Sequence, residues 1–128
     1  MRQLRLPENK MDTAAATAIM RRSFGELEPY LSEILNWMRD YNWPVAQVIA
    51  PELVRIGPRL VDHLRPILHG RDPMWQYWIL REVIGKSPEL AELLVADIAE
   101  LANSCRPDDE DSAEVLAAAS DVLKGINA

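Results

Sequence analysis

Few residues of this 128-residue chain combine the type and the spacing that chemistry needs. The two histidines, His63 and His69, stand six apart on one expected helix. Metal ligands on a helix share a face when they lie about one turn apart, and this pair does not. They are read as solvated or helix-capping, and His69 sits beside a helix end that favours a positive imidazole. The one cysteine, Cys105, precedes Arg106, whose charge would lower a thiol pKa. No histidine is near it in sequence, and it also continues an apolar stripe. It is read as a small buried hydrophobe. The run Asp108-Asp109-Glu110-Asp111 supplies four carboxylates. A calcium loop wants alternating ligands, a glycine at the bend and a late glutamate, none of which this run provides. Carboxylates do suit the start of a helix. No glycine-rich phosphate cradle and no Gly-x-Ser-x-Gly elbow occurs. Carboxylates paired across space for acid–base work stay open. No catalytic residue, cofactor or metal is assigned.

The aromatic residues point to binding instead. Trp43, Trp75, Tyr77 and Trp78 fall at the starts of two successive second helices of helical hairpins. Tyr77 and Trp78 are adjacent, so both cannot point into one core stripe, and one is expected at the surface. With Asp40, Asn42, Arg71 and Arg81 nearby, they form a candidate aromatic-rimmed groove of the composition found at interface anchors. The competing reading is that every tryptophan fills the core, where each has much area to bury.

These residues must be positioned by helices. One chain of 128 residues, 48 % of them hydrophobic, is the size of a single domain with an ordinary core. No apolar run approaches the roughly 20 residues of a membrane helix. The start, Met1-Arg2-Gln3-Leu4-Arg5-Leu6-Pro7, has arginines but no apolar segment behind them, so no secretory signal is seen. A lone cysteine agrees with a reducing compartment, and the expected site is the cytoplasm. The net charge of −6 lies in the second half: residues 1–64 hold 8 basic and 8 acidic side chains, residues 65–128 hold 6 and 12. No basic face for nucleic acid is visible. An acidic half would attract a basic protein, or simply keep helices in solution.

Residues 1–11 read as an extended lead-in. Asp12 caps a short helix over residues 13–22 with a thin face of Ala15, Ile19 and, at its edge, Met11. Ser23-Phe24-Gly25 reads as a break, and a helix begins near Glu26–Pro29 with Tyr30, Leu31, Ile34, Leu35, Trp37 and Met38 at helical spacing. Asp40 and Asn42 suit a tight corner. Pro44 opens a helix to Ile56, with a kink or break expected near Pro51. Gly57-Pro58 stops one helix and starts the next, which carries Pro66 inside it and ends at His69-Gly70. Arg71-Asp72-Pro73 forms the second corner, before a helix with Trp75, Trp78, Ile79 and Val83 on its stripe. Ser87 caps a third long helix with Leu90, Leu93, Leu94, Ile98, Leu101 and Cys105. After the turn Pro107–Ser112, a last helix carries Ala113, Leu116, Ala119 (with Ala117 and Ala118 beside it), Leu123 and Ile126. No stretch alternates long enough to be a strand. The expectation is all-α, with about seven helices.

The corners recur: Asp40 to Asp72 and Trp43 to Trp75 are each 32 residues apart, and Asp72 to Asp108 is 36. Three hairpins at such a period predict a short α-solenoid with an N-terminal capping helix, against the alternative of an irregular or four-helix-like bundle. Three stretches carry a resemblance: Leu6-Pro7-Glu8-Asn9-Lys10-Met11-Asp12, the corner Trp37-Met38-Arg39-Asp40-Tyr41-Asn42-Trp43-Pro44-Val45-Ala46-Gln47, and Trp75-Gln76-Tyr77-Trp78-Ile79-Leu80. The chain resembles an uncharacterised bacterial domain family of HEAT-like helical hairpins, over nearly its whole length. The resemblance implies a HEAT-like fold in one domain over residues 1–128 and a bacterial source. It implies no activity, substrate or catalytic residue. Function is therefore expected to be non-catalytic binding of another protein through the aromatic-rimmed face, with no nucleic acid and no membrane. One alternative is an immunity-type inhibitor of a basic toxin. A second is a small enzyme using carboxylates of the acidic C-terminal half.

Overall fold

A computed structural model describes residues 5–106 and 108–126. Residues 1–4 of the expected lead-in and Pro107 of the third turn lie outside the described residues. Every regular element among those described is helical. The α-helices are α1 (Thr13–Met20), α2 (Phe24–Leu27), α3 (Leu31–Asn36), α4 (Pro44–Ile56), α5 (Val61–Leu68), α6 (Pro73–Glu82), α7 (Pro88–Leu93), α8 (Val95–Ser104) and α9 (Glu110–Ile126). Short 3-10 turns join several of them, so that the chain reads as seven helical stretches, the number the periodicity predicts. No helix among the described residues is long and apolar enough to cross a membrane.

Local chemistry explains most boundaries. Asp12 caps α1 by accepting from the amide of Ala15 at 3.4 Å, and its second oxygen takes the Glu8 amide at 3.1 Å. Asp72 does the same for α6, accepting from Trp75 N at 3.1 Å, and Ser87 for α7, accepting from Leu90 N at 3.4 Å. Pro44, Pro73 and Pro88 each occupy a first helical turn, where a missing N–H leaves nothing unpaired. At the first corner Asp40 accepts from Asn42 N at 2.9 Å, which closes the turn. Gly57, at φ 68°, ends α4 in a backbone region that L side chains rarely adopt.

Several expectations are corrected. Ser23-Phe24-Gly25 is no break: Ser23 and Glu26 form a reciprocal capping box and α2 starts at Phe24. Of the kink or break expected near Pro51, the break does not occur: α4 continues through it. Pro51 is exposed, and Gln47, whose carbonyl loses its partner, is exposed too, so water can take the missing donor's place. The third long helix is interrupted at Leu94, with no glycine or proline there. Both parts pack against α9, but α7 also packs against the turn Gly57–Leu60 and α8 against α5. Leu93 is consequently 53 % exposed, and Met11 is 64 % exposed beyond the end of α1. In α9 the buried residues are Val115, Ala118, Ala119 and Val122; Ala119, with Ala118 beside it, lies where expected, but Val115 and Val122 take the core positions, and Ala113, Leu116, Leu123 and Ile126 lie at the edges.

One continuous core runs through the molecule, from Ile19 and Leu31 through Ile49, Leu64 and Ile79 to Ile98 and Val115. α1 packs on α4, α5 touches α6 and α8, and α6 lies against α9 and the turn Trp37–Arg39.

Candidate functional site

Polar side-chain contacts join segments about one hairpin apart in sequence. His63 Nε2 lies 3.3 Å from Glu28, Arg39 Nη1 2.7 Å from Asp72, and Arg65 Nε 3.2 Å from Asp97. His69 Nε2 also donates to Asp97, at 2.8 Å. The two histidines therefore serve different junctions, and His69 caps the end of α5 as expected. Burial acts most strongly on Asp97 and pushes its carboxyl up, but the hydrogen bonds and charges of His69 and Arg65 together outweigh it, so the carboxyl lies below its ordinary value of 3.8. A carboxyl depressed by folding contributes stability above its unfolded pKa and loses it as pH falls through the folded value. Asp97→Asn should thus cost about 1 kcal/mol at pH 7, because its partners are partly exposed, and in denaturant titrations the gap to the unsubstituted protein should close as pH falls below the ordinary carboxyl value of 3.8.

The aromatic residues separate into three roles. Trp75 is structural: its Nε1–H donates to Leu35 O at 2.8 Å, across the two corners, and the Arg39 guanidinium lies 4.3 Å from its ring. Trp43 packs edge-on against Trp37, with centroids 5.8 Å apart, and steadies the first corner. Trp78 instead stacks on Tyr41 at 5.6 Å and on Tyr77 at 4.8 Å. Arg81 closes this cluster by donating to the Tyr77 hydroxyl at 2.6 Å. All four tryptophans are half-buried, but Trp37, Trp43 and Trp75 pack against the core, whereas Trp78 rests on tyrosines. The core positions of α6 belong to Gln76, Ile79 and Leu80, which leaves Trp78 off the stripe expected for it.

Beside Tyr41 a groove of about 210 Å³ runs between α4 and α6, lined by Ala50, Pro51 and Val54 and bordered by the Glu82–Lys86 ion pair at 2.8 Å. The structure thus brings Tyr77, Trp78 and Arg81 together and adds Tyr41, which the sequence reading had not singled out as a contact residue. It sets Trp43 and Trp75 apart from them. Asp40 and Asn42 belong to the corner turn, and exposed Arg71 borders a separate small pocket with Cys105. Cys105 is half-buried, its thiol donating to Leu101 O at 3.2 Å. Among the described residues no group of three or more His, Cys, Asp or Glu is placed to hold a metal ion.

Gln76 was missed as well. It is 4 % exposed, and its amide donates to Gly70 O at 2.9 Å, Ile67 O at 3.2 Å and Leu68 O at 3.3 Å, so a side chain of α6 caps the C-terminal end of α5. The available signal was a polar residue in phase with Ile79, Leu80 and Val83.

No curated protein matches the chain. A family model described as a domain of unknown function, DUF5071, matches residues 5–123, which include every residue of the aromatic cluster and of the junctions between hairpins. By that match over nearly its whole length, the chain belongs to the DUF5071 family.

Proposed function

We propose that the chain is a short HEAT-like solenoid of three stacked hairpins with α1 as its cap, and that it works as a non-catalytic module binding another protein. The side-chain contacts Glu28–His63, Arg39–Asp72 and Arg65–Asp97, 35, 33 and 32 residues apart, support the stacking. The observation that carries the binding reading is the cluster of Tyr41, Tyr77, Trp78 and Arg81. It is aromatic, half-exposed and set beside a groove, and Trp78 gives the core no packing of its own. Its aromatic surface and guanidinium are the types over-represented among binding hot spots.

The Tyr77→Ala, Trp78→Ala double variant tests this. Partner captured from a native host lysate by the immobilised protein should bind the variant at least about tenfold more weakly, a loss of about 1.4 kcal/mol, while its circular dichroism is unchanged. Equal affinity with an intact fold would sink the proposal.

The exposed carboxylates Asp108, Asp109, Glu110, Asp111, Glu114 and Asp121 favour a second, narrower reading, an immunity-type inhibitor of a basic toxin. Such a toxin would be neutralised by co-expression of this chain.

A further inference from the structure

The groove beside Tyr41 has a composition that narrows its occupant. Pro51 is exposed there, Val54 and Tyr41 are half-buried, and the surface they offer is mostly apolar. Trp78 stacks on Tyr41 at 5.6 Å, so the groove and the aromatic cluster form one continuous surface. The two charged groups at the border, Glu82 and Lys86, answer each other at 2.8 Å. The Arg81 guanidinium is held by the Tyr77 hydroxyl at 2.6 Å. Two polar groups are left over. Among the described residues neither the indole N–H of Trp78 nor the hydroxyl of Tyr41 has a hydrogen-bond partner, although the Trp75 indole and the Tyr77 hydroxyl do. No buried side-chain N or O atom among those residues lacks a partner, so both groups reach the surface.

A peptide docks on a folded surface in a small number of ways. An added strand needs a sheet edge, and every regular element among the described residues is helical. An amphipathic helix needs a row of pockets one turn apart, which a single groove of about 210 Å³ does not supply. A phosphorylated or acidic segment needs uncommitted cations, and Arg81 and Lys86 are already held by Tyr77 and Glu82. A basic segment meets those two as like charges. A polyproline II segment needs what is present: apolar and aromatic surface for its proline rings, and donors for carbonyl oxygens that have no partner within their own helix. The charges at the border cancel, which matches an uncharged chain. We infer that Tyr41, Pro51, Val54 and Trp78 receive a proline-rich segment of the partner in the polyproline II conformation, its rings on Pro51, Val54 and Tyr41 and one of its carbonyls accepting from the Trp78 N–H. The inference rests on the reading of the aromatic cluster as a binding surface and adds to it the composition and conformation of what is bound.

The test is NMR titration of the full chain with acetylated and amidated hexaproline. The same peptide made of D-prolines has the opposite hand and serves as the control of equal composition. Of the four indole N–H signals, the one missing from Trp78→Phe belongs to Trp78. Hexaproline should move that signal with a Kd of about 1 mM or tighter, and leave in place the signal of Trp75, whose N–H is committed to Leu35 O. The D-proline peptide should bind at least about fivefold more weakly. Trp78→Phe, which keeps a ring but loses the donor, should weaken hexaproline about fivefold, followed at the Val54 amide. Pro51→Glu removes a ring from the groove and adds a charge, and should weaken it by a similar factor. That variant should also raise the urea midpoint, since glutamate is a far better helix former than proline. Equal binding of the two hands, unchanged affinity in Pro51→Glu, a Trp78 signal that stays still at millimolar hexaproline, or tighter binding of hexaarginine would each overturn the inference. Host partner captured equally by Pro51→Glu and the unsubstituted protein, but lost in Tyr77→Ala, Trp78→Ala, would overturn the proline-rich segment and leave the aromatic reading standing.

Discussion

Gln76→Glu should lower stability by about 3–5 kcal/mol at pH 7, a large part of the total for a domain of this size. The reason is local and electrostatic. The amide of Gln76 is buried and donates toward Gly70 O, Ile67 O and Leu68 O. A carboxylate there has no proton to give and presents negative charge to three carbonyl oxygens. Protonation relieves this, because a neutral carboxyl can donate to Gly70 O. The folded pKa of the introduced acid is therefore raised above its unfolded value of about 4.3. A carboxyl raised by folding stabilises below its unfolded pKa, and that contribution is lost as pH rises through the folded value. Urea titrations should show the deficit against the unsubstituted protein shrinking by about half or more between pH 7.5 and pH 5. Gln76→Leu, which removes the donors without adding charge, should cost about 2–3 kcal/mol with no such pH dependence. A Gln76→Glu variant with a small, pH-independent deficit would show that the side chain does not cap α5.

Trp75→Ala should cost about 2–3 kcal/mol, and Trp78→Ala only about 1 kcal/mol, although the two indoles sit one turn apart on α6. Trp75 loses packing against the core, its hydrogen bond to Leu35 O and the Arg39 guanidinium on its face. Trp78 loses only its contacts with Tyr41 and Tyr77. Trp75→Phe should recover most of the packing but not the hydrogen bond, and so fall between them, near 1 kcal/mol. Chemical denaturation of the three variants decides the matter. If Trp78→Ala proves the more costly, the division between a structural and a surface tryptophan fails, and the binding proposal with it.

How much of this was legible beforehand varied with the range of the interaction involved. Asp12, Asp72 and Ser87 announce helix starts because a cap acts within three residues of itself. The corner Asp40–Pro44 was equally readable, since its hydrogen bond spans two residues. The interruption at Leu94 was not, because no glycine, proline or capping residue marks it and both halves still pack on α9. The core positions of α9 were not fully legible either. Its alanine-rich sequence gives little periodic contrast, so contact with α6 and α8 chooses the buried side.

The aromatic site was half legible. Adjacent Tyr77 and Trp78 guaranteed that one aromatic would leave the core stripe, and both are half-exposed. That Trp75 would be spent on Leu35, 40 residues away, and that Tyr41 would join Trp78, required the fold.

By itself, then, the sequence determined an all-helical chain, the positions of its corners and most helix starts. These depend on backbone propensity, capping and apolar period, all of which act within a turn or two. Only the tertiary structure decided which tryptophan holds the molecule together and which rests on tyrosines, and that Gln76 closes α5. Those outcomes depend on which side chains meet across a corner or across 30 or more residues of chain, and neither is written in local spacing.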